Sequence, residues 1–152
     1  MKGSLCALLL LLTFVSAYHR FNYKDESDML DFLKDEDHHI YVLFFYNGNP
    51  KQSKVGALLK DRNDEERKRV QTIILEKYPQ VAYSDCEVST GRFDNVMKAL
   101  GVERDPLGEW PTIAVVDDGN GRWVHGPNAA PFAERIVFDF TPNNPVPATT
   151  AQ

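Results

Sequence analysis

Cysteine is scarce in this chain of 152 residues, which carries only Cys6 and Cys86. Cys6 falls inside an apolar N-terminal run, so a protein that sheds that run keeps one thiol and can form no internal disulfide. Stability must then come from a hydrophobic core, which 43% apolar residues over this length can supply for one domain. Basic excess is missing too: 17 Lys and Arg stand against 22 Asp and Glu, a net charge of -5. That balance, with no Lys/Arg-rich face, argues against nucleic acid and an anionic membrane surface as main partners. There is no Asn-x-Ser/Thr acceptor for glycosylation. Metal-ligand spacing is also lacking. His38 and His39 are adjacent, which puts them on opposite faces of a strand, and no cysteine or third histidine is spaced to join them. The run Asp117-Asp118-Gly119-Asn120-Gly121 lacks the bidentate glutamate of a calcium loop and reads as a hairpin turn. No metal and no cofactor are expected.

What is present begins with Lys2 and an apolar run from Leu5 to Val15, closed by Ser16-Ala17. The run is shorter than the roughly 20 residues a membrane span needs, and its small-residue end has the layout of a secretory signal. The expectation is a signal peptide or N-terminal anchor over 1–17, a domain over 18–140 and a flexible tail over 141–152. Cleavage would place the protein in the endoplasmic reticulum lumen or outside the cell. Retention would make it membrane-anchored, including in a mitochondrial membrane complex.

The domain itself alternates helical and extended patterns. Asp25 to Asp35 spaces Met29, Phe32 and Leu33 as one helical face, with acidic residues in the first turn where the helix dipole is positive. Ile40 to Tyr46 (IYVLFFY) is a continuous β-branched and aromatic run, predicting a strand covered on both faces. From Gln52 to Tyr78 the pattern is helical but interrupted. Asn63 and Glu66 have the spacing of a capping box, which predicts a break near Asp61 to Asn63, and the mixed charges of KDRNDEERKR read as a solvated face. Val81 to Val88 reads as a strand, and Phe93, Val96, Met97 and Leu100 line a helix that Gly101 stops. Two further strands flank the Asp117–Gly121 turn, and Pro131, Ala133, Ile136, Val137 and Phe140 mark a last helix. The order implies an α/β fold with a mixed sheet covered by helices on both faces.

Asp85-Cys86-Glu87, the helix ending at Gly101-Val102, Trp110-Pro111-Thr112 and the Gly-containing hairpin ending at Gly126 follow one another at a spacing that resembles the thioredoxin fold. The resemblance spans about Asp25 to Phe140. It implies that Pro111 is a cis-proline beside the functional corner and that Trp110 precedes it there. It also implies a Cys-x-x-Cys motif at the start of the helix after the first long strand, where a helix N-terminus lowers thiol pKa. This chain has Asn49-Pro50-Lys51-Gln52-Ser53 in that place and no sulfur. Without a thiolate there is no exchange reaction, and no histidine is placed by motif to activate Ser53. The link from Glu103 to Trp110 is longer than the family's and adds a loop on the same face.

Cys86 alternates with Ser84 and Ala82 and is expected in the core as a small hydrophobe. The reading is therefore a thioredoxin-like protein that is not an enzyme. It would bind a protein partner as an accessory module through Asn49, Pro50, Lys51, Gln52, Leu107, Trp110 and Pro111. Two alternatives stand beside it. One is a structural subunit of a membrane complex with the N-terminal segment retained, and the other is a thiol oxidoreductase acting through Cys86.

Overall fold

The computed structural model describes residues 19–35 and 39–141. The expected signal or anchor over 1–17, His38 and the tail beyond Thr141 lie outside the described residues. Among those described, no helix is long and apolar enough to cross a membrane.

Why β2 (Ile40–Tyr46) sits at the centre follows from its side chains. Alternate residues of an extended chain point to opposite faces, so a strand apolar at every position must be covered on both. Ile40, Val42 and Phe44 enter one core cluster, and Tyr41, Leu43 and Phe45 enter the other. Its neighbours are β3 (Ala82–Glu87), parallel, and β4 (Thr112–Asp117), antiparallel. Outside them lie β1 (His19–Arg20), parallel to β3, and β5 (Asn120–His125), antiparallel to β4. The five-stranded order is β1-β3-β2-β4-β5.

Helices cover the two faces. On one, α1 (Glu26–Lys34) and α3 (Asp94–Leu100) contribute Met29, Leu33, Val96 and Met97. On the other, α2 (Leu58–Val70) and α4 (Ala129–Phe140) contribute Val70, Ala133 and Val137. Asp25 caps α1 by accepting the Asp28 N–H at 2.9 Å, a bond worth about 1 kcal/mol. Gly101 ends α3 with φ +71°, the left-handed conformation that the expected glycine stop requires. The β4–β5 turn places Asp118 and Gly119 at φ +48° and +77°, both positive as a two-residue hairpin needs.

Two expectations are corrected here. The break does not fall near Asp61 to Asn63, because α2 runs unbroken from Leu58 to Val70. The interruption lies earlier, between a 3-10 turn at Pro50–Gln52 and the start of α2, where Gly56 has φ +56°. Beyond Val70 the helix widens by one residue, with the Glu76 N–H bonded to the Gln71 carbonyl at 3.0 Å. Asn63 and Glu66 do not form a capping box. Both are buried: Asn63 donates to the Asn47 carbonyl at 3.0 Å, and Glu66 accepts from the Asn128 and Ala130 N–H groups and from Arg69. Glu66 thus caps the start of α4 from another helix. The strand β1 had no sequence signal, being two exposed residues long.

Candidate functional site

The corner that would hold a reactive dithiol is built from the end of β2. Asn47 closes the strand, and its side chain accepts the Asn49 N–H at 2.8 Å. The Asn49 side chain in turn accepts the Lys51 N–H at 3.1 Å, fixing the 3-10 turn at Pro50–Gln52. Pro50, Lys51 and Gln52 are exposed, and Asn49 is half-buried. The N-terminus of α2 begins only at Leu58, so the field of that helix does not act at this turn.

The Glu103–Trp110 loop folds over the same corner. Arg104 anchors its start by donating to the Val88 carbonyl at 2.5 Å and by pairing with Asp94. A second 3-10 turn at Asp105–Gly108 then carries Leu107 into the core, where it is fully buried among the α1/α3 cluster. Leu107 is therefore a packing residue and offers no side chain to a partner, which corrects its expected place on the contact surface. Ser53 Oγ donates to the Gly108 carbonyl at 2.5 Å and accepts the Val55 N–H at 3.1 Å. Arg62 donates to the Glu109 carbonyl at 3.0 Å while its guanidinium lies 4.3 Å from the centre of the Trp110 ring. These contacts stitch the loop to the turn on which the cysteines would have stood.

Trp110 is half-buried and Pro111 is buried. No peptide bond is cis among the described residues, so the expected cis-Pro111 is corrected to trans. The Asp105–Gly108 turn feeds the chain into β4 with the Glu109 and Trp110 N–H groups on the Pro106 carbonyl and the Gly126 N–H on the Pro111 carbonyl. The ordinary trans isomer, favoured by about 0.5–1 kcal/mol, meets that route. Next to it, Thr112 Oγ1 and His125 Nδ1 are 2.9 Å apart, and burial holds the His125 pKa below its usual value.

Cys86 is the one free cysteine among the described residues and is completely buried on β3. Burial pushes its thiol up to about 12, against which the Ser84 hydroxyl is a minor opposing contact. A thiol that stays protonated and out of reach of solvent is a poor nucleophile. The described residues include no group of His, Cys, Asp and Glu able to hold a metal ion.

Sequence reasoning missed Arg67 and its partners. Arg67 rises from α2 with its guanidinium 5.1 Å from the Phe44 ring and 4.7 Å from the Tyr46 ring. It donates to Asp64 at 2.9 Å and to Asp85 at 3.2 Å, and Tyr83 donates to the same Asp85 oxygen at 2.5 Å. Clefts of about 580 and 550 Å³ open on either side of the Arg67–Asp85 pair. The second reaches Asn47 and Pro50, and Asn63 Oδ1 in its lining is a buried acceptor with no partner among the described residues. In sequence, Arg67 was one charge among many in a mixed run, with nothing to mark it as half-buried.

No family profile matches this chain, and no curated protein sequence matches it. Among solved structures, oxidized thioredoxin O2 from Arabidopsis thaliana is similar at 16% identity and a TM-score of 0.48, over 83% of this chain and 96% of that one. A chain in the crystal structure of the ferredoxin:thioredoxin reductase and thioredoxin f2 complex is similar at 17% identity and a TM-score of 0.50, over 83% of this chain and 98% of that one. At that identity the likeness carries architecture alone. Together with the strand order and the helices on both faces, the second of these likenesses gives this chain a thioredoxin-like fold.

Proposed function

We propose that this protein is a binding module on a thioredoxin-like scaffold that has given up thiol–disulfide exchange. The observation that carries the reading is the chemistry of the corner: Asn49–Ser53 brings no sulfur, and Cys86 is sealed inside the sheet with a thiol held protonated. A scaffold without its nucleophile retains an exposed surface for recognition. Here that surface is Pro50, Lys51 and Gln52 beside the half-buried Trp110, whose ring is braced by Arg62. A rigid, stacked aromatic beside exposed polar side chains suits a protein partner, since Trp and Arg are enriched among the residues that dominate binding energy. The apolar run at the N-terminus supports a place in the secretory pathway for this activity.

Two measurements test the reading. In a disulfide-reduction assay with insulin and dithiothreitol, the full chain should add nothing to the uncatalysed rate, and turnover would overturn the proposal. A photoreactive group at position 51 should give one discrete adduct in native extract, reduced at least several-fold by Trp110→Ala. The same group at position 98, on the exposed side of α3, should give none. Equal crosslinking at both positions would remove the assigned surface.

A further inference from the structure

The cleft of about 580 Å³ lies at β1 and β3, across the Arg67–Asp85 pair from the cleft that reaches Asn47 and Pro50. We propose that it is a binding site for a small molecule bearing a phosphate or carboxylate group, held by Arg20, Arg67 and Arg92. All three line the cleft, and Asp85 is the only acidic lining residue among the described residues, which gives those residues a local charge of 3 − 1 = +2 in a chain whose net charge is -5. Counting Asp64, which Arg67 also holds, the sum is still 3 − 2 = +1.

Arg67 is already positioned. Its Nε and Nη1 are tied to Asp85 and Asp64 and its plane rests on two aromatic rings, while Nη2 has no hydrogen bond among the described residues. A guanidinium ordered in advance loses little entropy when it takes up an oxyanion. Arg92 lies over the rings of Tyr23 and Phe93, at 5.8 and 5.3 Å, and neither it nor Arg20 has a carboxylate partner among the described residues. Their planar donors match the oxygens of phosphate and carboxylate. Phe21, Tyr23 and Leu75 add apolar wall, which suits a ligand with a carbon body behind its anionic group. The cleft also takes in Phe21, Asn22 and Tyr23, the residues beyond the carboxyl end of β1, the end at which open α/β sheets bind ligands.

The test is an amide-resolved NMR titration of the full chain with phenyl phosphate, benzoate and benzylammonium. Phenyl phosphate or benzoate should give saturable shifts confined to residues 20–23, 67, 71, 75, 83–85 and 92. The stronger of the two identifies the oxyanion. Arg92→Gln and Arg20→Gln change exposed side chains, so both variants should keep a dispersed spectrum while binding about tenfold or more weakly, the loss of a charged hydrogen bond. Benzylammonium should give no saturable shift. The proposal is overturned if neither anion saturates, if the shifts scatter over other basic residues, if both variants bind as tightly as the parent, or if benzylammonium binds equally well.

Discussion

The thiol corner and the arginine cleft occupy different parts of the same sheet and are closed to different degrees. At the corner, the Glu103–Trp110 loop buries Leu107, and Ser53 and Arg62 bond its backbone to the turn and to α2. At the cleft, Arg20 and Arg92 are exposed with no carboxylate partner among the described residues, and the half-buried Arg67 is held by Asp64 and Asp85. The first region has spent its polar groups on itself, and the second has donors left over. The same fold can therefore close the place where its usual chemistry sits and leave open one that the sequence did not advertise.

The comparison breaks most readily at Leu107. If the loop is part of the core, Leu107→Ala should cost about 2–5 kcal/mol in chemical denaturation, as for other buried leucines. A loss below about 0.5 kcal/mol, typical of surface sites, would mean the loop is only draped over the corner. Ser53→Ala removes the bond to Gly108 and the acceptor for Val55, and should cost about 1 kcal/mol in the same measurement. No loss would show that the stitching is incidental.

A pH series sharpens the picture of the turn after β2. Burial raises the Glu87 pKa, but hydrogen bonds from Ser89 and from the Gly48 N–H outweigh it, and the carboxyl is held below its ordinary 4.5. A depressed folded pKa means stability that is present above 4.5 and is lost as pH falls through the folded value. Glu87→Gln should therefore be less stable than the parent at pH 7, by less than about 1 kcal/mol for a half-buried group that solvent still screens. The gap should narrow as pH falls from 4.5 and close below the depressed folded value, and a gap that persists in stronger acid would assign the difference to shape. At the open cleft the effect should be smallest. Arg92→Gln should move stability by no more than about 0.5 kcal/mol, because the side chain is exposed, and a larger loss would make Arg92 structural.

Cys86 offers a check on chemistry instead of stability. At pH 8 a thiol reagent should leave Cys86 of the native chain unmodified and label it only after denaturation, as followed by peptide mass mapping, which separates it from Cys6. Labelling of the folded protein at the rate of a free thiol would reopen exchange chemistry.

Where the sequence was legible, the reason was a local period. Ile40 to Tyr46 announced a two-sided strand because every position was apolar, and Cys86 announced its burial by alternation on β3. The corner's lack of sulfur was legible for a simpler reason, since it needed only the position of one segment after one strand. Asn63 and Glu66 misled because three-residue spacing is the same for a capping box and for two polar groups on the buried side of a helix. What separates the cases is the partner, and those partners, Asn47, Asn128 and Ala130, come from other elements. Leu107 misled in a similar way, since a loop rich in turn residues reads as surface until its neighbours are known, whereas the cis expectation for Pro111 came from the family resemblance alone.

By itself, then, the sequence determined the succession of helices and strands, the two-faced core and the absence of a Cys-x-x-Cys segment after β2, all of which follow from residue type and spacing along one segment. Only the tertiary structure decided that the added loop closes the corner and that Arg20, Arg67 and Arg92 share a cleft. Those outcomes depend on which distant segments meet, and side chains far apart in the chain carry no period that reveals their meeting.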